Sequence, residues 1–460
     1  MAGKKRWYTQ TARILEELDK HARHKGAEAI RASVNEGRAH KIEVRDGDFG
    51  EGKAEHDSRL SLAVYMAGGR HSSFSLNYQA DRFDIDSAKS FIERAIDSAT
   101  LHPEDPYAGL ADPAEILQDK IHDESAFDNR YLLRPEDMIK QATEAERAAL
   151  GRTDKGIESS QGASMDTRIS RSMLYLSNGF IGVTSNKNYG IKLVVKGAYQ
   201  DADGNTHYTL GGDVANEKEY TDLDAPQTLA DRVVHEADRM RYARPLTSDD
   251  KNSNVSLVFE PDIAPAFWSG VLGALDGNAV AKGMSFLQKH FEAAILPRDL
   301  SVVNDPTLKN TPGHCYFDGD GLPVQRQVMI ENGVIRNWFL DLYNARKLGM
   351  VPTGEPANLL IESDNPAAND LDDLISDIGT GILVTDFNGG GMDTVMGQYK
   401  VGAAGILIRD GKMVEPVRDF SLAHDNLTGM LATTQVAQDR ERQGRLWTPS
   451  VRVDGLKLSA

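Results

Sequence analysis

"SRSMLYLSNGFIGVTSN" (170–186) holds two apolar-rich runs joined by Asn178-Gly179. Asn-Gly readily takes the positive φ that a two-residue hairpin turn demands, so the stretch predicts an antiparallel strand pair. The same chemistry recurs outward from it: Asp203-Gly204 in 189–212, Asn332-Gly333 in 327–340 and Asp410-Gly411 in 405–417. The spacing is irregular, so these are shared turns and not a sequence repeat. Towards the N-terminus, "AEAIRASVNEG" (27–37) and "HKIEVRDGDFG" (40–50) alternate and read as a hairpin, and 59–78 reads as a second, turning at Gly68-Gly69. Helical spacing marks 8–25, 84–101 with Asp86 as its cap, 134–150 with Pro135 in its first turn, a stretch around 233–242, and a small-residue-rich helix over 263–287. The pattern predicts an α+β fold with an N-terminal α/β domain (1–118), a β-rich middle domain (119–250) and a C-terminal domain (251–460). The Pro- and Asp-rich 102–115 reads as the first linker.

Composition bounds the function. The chain has 460 residues, 40% hydrophobic and 26% charged, which suits a soluble globular protein with real cores. A net charge of -17 argues against nucleic acid or an anionic membrane as partner. "MAGKKRWYTQ" lacks the apolar segment of a signal peptide, and "IAPAFWSGVLGAL" (263–275) is too short to span a bilayer. The single cysteine, Cys315, excludes a disulfide framework and fits a reducing cytoplasm.

Five motifs invite chemistry. "VVHEADRMRY" (233–242) begins like a zinc peptidase motif, but Arg239 stands where the second His belongs. His235 also falls opposite the apolar stripe of Leu229, Val233, Ala237 and Met240, which predicts a solvated face whose charges Asp231, Arg232, Glu236 and Arg239 pair locally. "DADGN" (201–205) and "DGDG" (318–321) resemble calcium loops, yet Gly212 and Met329 stand where the bidentate Glu belongs, so both predict turns. His314-Cys315 pairs a base with a thiol, but a lone cysteine is commonly a small buried apolar residue. "NGGGMD" (388–393) lacks the Lys-Ser/Thr of a phosphate loop; Asn388, Gly389, Gly390 and Gly391 are expected to form a flexible loop facing a partner or a peptide.

Longer stretches carry a resemblance. Residues 267–287, 317–354, 379–417 and the closing "PSVRVDGLKLSA" are similar to the C-terminal domain of the TldD/PmbA family, on its TldE (PmbA) branch, and "EDPYAGLADP" (104–113) resembles that family's first linker. The most specific pieces are "ARKLG" (345–349) and "MGQYKVGAAG" (396–405). The resemblance implies β-rich middle and C-terminal regions arranged around a cleft. It also implies a job: TldD and TldE together form a zinc metallopeptidase that cuts unstructured peptides, including leader peptides and antitoxins. In the TldD branch, the helix matching 267–287 carries His-Glu-x-x-x-His and a later Cys completes the zinc site. Laid on this chain, the His positions fall at Ala274 and Ala279, the Glu at Leu275 and the Cys near Gln443. No His, Cys or Glu occurs in 268–286. Zinc needs three N, S or O ligands plus an open position, and the attacking water needs a base. The expectation is therefore a non-catalytic subunit without a cofactor of its own, a heterodimer with a zinc-binding TldD-like partner, acting on unfolded peptides. An exposed strand edge is the expected means of gripping an extended peptide through its backbone. The alternatives are a peptidase with a displaced metal site built from His314, His235 or His424, and a peptide-binding protein without catalysis.

Overall fold

The computed structural model describes residues 2–79, 83–201, 203–247 and 255–459. Its first half is one sheet of six antiparallel strands. They are β1 (Ala29–Arg45), β2 (Asp48–Tyr65), β3 (His71–Tyr78), β4 (Ile157–Leu176), β5 (Phe180–Gln200) and β6 (Thr206–Glu217), in the order β3-β2-β1-β4-β5-β6. The expected turns at Gly68-Gly69, Asn178-Gly179 and Asp203-Gly204 join these strands. Two expectations need correction. The runs 27–37 and 40–50 do not form a hairpin with each other; residues 29–45 form one strand of 17 residues, β1, and the chain turns at Asp46-Gly47, inside the second run. Gly37 lies mid-strand because a Cβ there would meet the Arg168 guanidinium at 2.2 Å and the Asp57 carboxylate at 2.9 Å. The boundary at 118/119 also separates no sheets, since β1 pairs with β4 from Arg31↔Leu176 to Val44↔Ala163. The boundary at 250/251 lies outside the described residues.

Strand alternation gives the sheet two different faces. Even positions of β1 and odd positions of β4 point to one face, which four helices cover. α1 (Ala2–His24) and α2 (Ile85–Thr100) bury Ile30, Ala32, Val34 and Met173 at one end. α3 (Pro135–Leu150) and α4 (Pro226–Arg239) bury Ile42, Val44, Met165 and Leu193 at the other. The cap of α2 is Asp84, not Asp86: its carboxylate accepts from the Asp86 N–H at 3.0 Å and the Ser87 hydroxyl at 2.6 Å. Between the two apolar ends lies a buried charged patch. Arg171 donates to Glu36 at 2.5 Å and to Glu124 at 3.3 Å, under the rings of Trp7 and Phe127.

The second half holds two further sheets. In one, Val451–Ser459 pairs both with Val255–Phe259 and with Lys412–His424. Thr380–Asp393 and Gln398–Arg409 lie between, so five strands close on themselves. The other sheet runs in the order Val334–Ile335, Gln327–Glu331, Leu300–Asn304, Leu359–Ser363, Leu446–Thr448, Glu441–Gln443. One core of Phe259, Phe267, Trp268, Val302, Ile330 and Leu407 spans both. The helix expected over 263–287 is broken: α5 (Ala264–Ala274) ends, and α6 (Gly277–Ala281) restarts with Asp276 capping the Ala279 N–H at 2.8 Å. The break lets Gly277 donate to the Phe339 carbonyl, an approach so close that a Cβ would meet that oxygen at 2.4 Å.

Candidate functional site

Among the described residues, the sheet's other face carries no helix. Odd positions of β1 and even positions of β4 and β5 place Ser33, Asn35, Ser170, Ser172, Thr184 and Asn186 there, with Ser61 and Ser75 beside them at 3.0 Å between hydroxyls. Short polar side chains leave the surface shallow and hydrogen-bonding. The C-terminal region supplies the opposite wall through Lys309, Asn310, Pro312, His314, Cys315, Tyr316 and Arg445. The two enclose a cavity of about 800 Å³, within the range of ligand sites. A second cavity of about 270 Å³ adjoins it behind Pro312, His314, Cys315 and Arg445.

One strand edge opens into the larger cavity. β6 covers β5 only from Tyr189 onward, by Tyr189↔Glu217. On the same side, the segment 121–123 exchanges hydrogen bonds with Val183: Val183 N–H to the Ile121 carbonyl and Asp123 N–H to the Val183 carbonyl, both at 2.9 Å. Between those covers, residues 184–188 have no strand beside them among the described residues. Hydrogen bonding alternates along a ladder, so Ser185 and Lys187 turn their N–H and C=O groups to the same open side as Val183. Thr184, Ser185, Asn186 and Lys187 all line the cavity.

The wall is fixed by its own bonds. His314 Nδ1 lies 3.1 Å from the Pro306 carbonyl, and the ring meets Tyr316 edge-on at 4.9 Å. The Tyr316 hydroxyl donates to Asp123 at 3.3 Å, which joins the two sides of the cleft. Burial raises the Asp123 carboxyl, but bonds from Ser125 and Tyr316 outweigh it and hold the group below its usual range. Burial pushes the half-buried Cys315 thiol up. A thiol raised by burial is the opposite of an activated thiolate.

The expected site residues are scattered. Ala274 and Leu275 are buried at the end of α5, Ala279 is half-buried on α6, and Gln443 is half-buried on the edge strand of its sheet. Two methyls, an isobutyl and one amide do not fit zinc. His235 is exposed on α4, His314 lines the cleft, and His424 Nδ1 accepts from the Asn426 N–H at 3.1 Å at a strand end. Among the described residues no group of three His, Cys, Asp or Glu could hold a metal ion. Around His235, the helix charges do not pair with one another as expected. Asp231 takes Arg152, Arg232 takes Asp213 and Asp224, and Arg239 takes Glu260. Asp201 and Asp318 accept N–H groups of their own turns: Asp203 and Asn205 for the first, Asp320 and Leu322 for the second. Asn388–Gly391 is not a free loop. It lies within the strand Thr380–Asp393, where Asn388 and Gly389 bulge out between Phe387↔Ala403 and Gly390↔Val401. Gly390 packs so closely that a Cβ would meet the Lys400 carbonyl at 2.3 Å. The features that sequence reading missed are the serine-rich face and the 184–188 edge. The even-numbered polar positions of β4 and β5 were the available signal.

Residues 252–460 match the PmbA/TldA metallopeptidase C-terminal domain. Metalloprotease PmbA homolog of Haemophilus influenzae is 28% identical over 424 residues, covering 88% of this chain and 86% of that one. The whole fold superposes on a Bacteroides thetaiotaomicron protein described as a candidate modulator of DNA gyrase. The TM-score is 0.87 at 25% identity, over 98% of this chain and 99% of that one. TldE from Thermococcus kodakarensis shares the fold with a TM-score of 0.80 at 18% identity, over 97% of this chain and 100% of that one. No helix among the described residues is long and apolar enough to cross a membrane.

Proposed function

We propose that this chain, a member of the PmbA/TldD family of metallopeptidases on its PmbA side, is the non-catalytic subunit of a heterodimeric zinc peptidase. In this reading it holds unfolded peptide for a zinc-binding partner. The observation that carries it is the pairing of an open strand edge, 184–188, with a polar cleft, in a chain that has no His, Cys or Glu in 268–286. An extended peptide added to that edge would satisfy the outward N–H and C=O groups of Ser185 and Lys187, contacts that ignore side-chain identity. The serine and asparagine carpet would accept varied side chains at little cost. The chain itself performs no bond cleavage here: it orients the scissile segment, and the metal, the water and the base belong to the partner. A cytoplasmic setting fits the single cysteine.

The test is a three-way assay of an unstructured peptide with this chain, with a His-Glu-x-x-x-His partner, and with both. Cleavage is expected from the mixture alone and should stop with chelator. A partner that cuts equally fast without this chain would defeat the reading. Chelator-sensitive cleavage by this chain alone, with about one zinc per chain after dialysis, would favour the displaced metal site. Ser185→Pro removes an outward N–H and should weaken peptide binding; it also removes the hydroxyl that accepts the Ala126 N–H at 3.0 Å, so its melting temperature is measured beside the affinity.

A further inference from the structure

Among the described residues, the cleft wall contains cations that form no ion pair. Arg168 is held by Asp57, Lys187 by Glu219, and Arg171 by Glu36 and Glu124. Lys218, Arg445 and Lys309 line the same cavity, and among the described residues none of the three has an ion pair or a side-chain hydrogen bond. That is unusual in a chain with 69 acidic residues against 52 basic ones. The nearby carboxylate, Asp123, is engaged by Ser125 and Tyr316. Lys218 is half-buried, and burial together with the neighbouring Arg445 charge pushes its ammonium below the usual lysine range. A partly desolvated ammonium beside a guanidinium is an arrangement that an incoming anion stabilises.

Position decides which anion. Lys218 directly follows β6, whose last residue Glu217 pairs with Tyr189, so it stands at the 188 end of the open edge. The segment that covers the other end runs parallel to β5 at His122↔Val183. A peptide continuing that parallel course along 184–188 would finish at Lys218.

We propose that Lys218 and Arg445, assisted by Lys309, form a carboxylate subsite that receives the C-terminal end of an extended peptide lying parallel to β5 on the edge 184–188. This rests on the reading of the cleft as a peptide site, and it adds a direction and an anchor to that reading. An acidic side chain near the peptide's end offers the same chemistry.

The experiment measures binding of the full chain to fluorescent peptides of one neutral, unstructured sequence. The peptides end in a free carboxylate, in an amide, or in an amide with a penultimate Glu. The free acid is expected to bind about tenfold more tightly than the amide, the difference a charge-assisted hydrogen bond supplies. The double variant Lys218→Gln/Arg445→Gln should bind acid and amide equally, at the amide's affinity, with an unchanged melting temperature. Recovery of affinity by the penultimate Glu assigns the subsite to carboxylates in general; no recovery assigns it to the terminus. Equal binding of acid and amide by the parent chain overturns the subsite and leaves the peptide cleft standing. If no peptide binds, both readings fall. If the double variant melts early, Lys309→Gln and Arg445→Gln singly carry the test, and no loss of acid preference in either overturns the proposal.

Discussion

Asp318 shows how a single turn residue can oppose stability. Its carboxylate accepts the N–H groups of Asp320 and Leu322 at 2.9 Å each, yet burial, reinforced by Asp320, pushes its pKa up to about 6. A carboxyl raised on folding binds its proton more tightly in the folded state. Its contribution is therefore favourable at low pH and declines as pH rises from about 4 to about 6. Asp318→Asn keeps the accepting oxygen and removes the charge. It should raise stability at pH 7 in urea titrations, and the gain should vanish near pH 4. Glu36 has the opposite sign. Burial raises its pKa, but the bonds and charge of Arg171 outweigh burial and hold it low. Stability from this pair is present above the ordinary glutamate pKa and is lost as pH falls below it. Arg171→Met should cost about 1.5–3 kcal/mol at neutral pH, because it removes the guanidinium between two buried carboxylates and leaves Glu36 to Arg38 and His56 and Glu124 to His122. Urea titration checks it: a cost under about 1 kcal/mol would mean that water reaches the patch. By contrast, the exposed His235→Ala should stay within about 0.5 kcal/mol of the parent.

At the scale of elements, α5 meets the strand Thr380–Asp393 at one small residue. A Cβ on Gly270 would meet Met392 Cβ at 2.5 Å and its sulfur at 2.7 Å. Gly270→Ala should destabilise by about 1–3 kcal/mol through overpacking. Adding Met392→Ala should recover part of that loss, so the two changes are non-additive; additive costs in a double-mutant cycle would show that the contact is not the cause. This junction also shows what the sequence made legible. The turns at Asn178-Gly179, Asp203-Gly204, Asn332-Gly333 and Asp410-Gly411 were readable because their chemistry is local. The break between α5 and α6 was not, since Gly277 is required by the Phe339 carbonyl, more than sixty residues away in the chain. β1 looked like a hairpin for the same reason: Gly37 serves a neighbour from another strand, Arg168. The apolar stripe of α4 was legible through Leu229, Val233 and Ala237, but Met240 leaves it, and its sulfur accepts the Thr385 hydroxyl of the C-terminal region. The cleft was invisible in sequence because Asn35, Asp123, Ser172, Lys187, Lys218, His314 and Arg445 meet only in the fold.

At the scale of the whole molecule, the cleft exists only while the large sheet and the C-terminal region keep their distance and angle. The segment 104–117 is one of the ties between them, beside the ion pairs Arg31–Asp320, Arg239–Glu260 and Arg442–Glu217. Arg346 donates to the carbonyls of Tyr107, Gly109 and Leu110 at 3.3, 3.4 and 2.8 Å, and the Tyr343 hydroxyl donates to Asp105 at 2.9 Å. The other end is fixed where Asp105 donates to the Gly68 carbonyl and Leu117 donates to the Gly321 carbonyl. A small apolar cluster of Ala111, Ile116, Leu174, Phe180, Leu322 and Leu342 lies beneath. The two family-like stretches, "EDPYAGLADP" and "ARKLG", thus touch each other, and the linker acts as a strap. Arg346→Ala removes three bonds to backbone carbonyls and leaves the core of each half intact, because Arg346 belongs to none of the main apolar clusters. The expected result is a global stability lowered by about 1–3 kcal/mol, the scale of charge-assisted bonds lost together, with hydrogen exchange faster selectively in 105–117. Peptide affinity should fall as well, since the wall bearing Lys309 and His314 would lose its fixed position over Ser172 and Asn186. Uniformly faster exchange across both halves would mean that Arg346 stabilises the whole fold. Unchanged peptide binding beside a locally loosened 105–117 would mean that the remaining bonds across the cleft, Tyr316–Asp123, Arg31–Asp320 and Arg442–Glu217, set it without the strap.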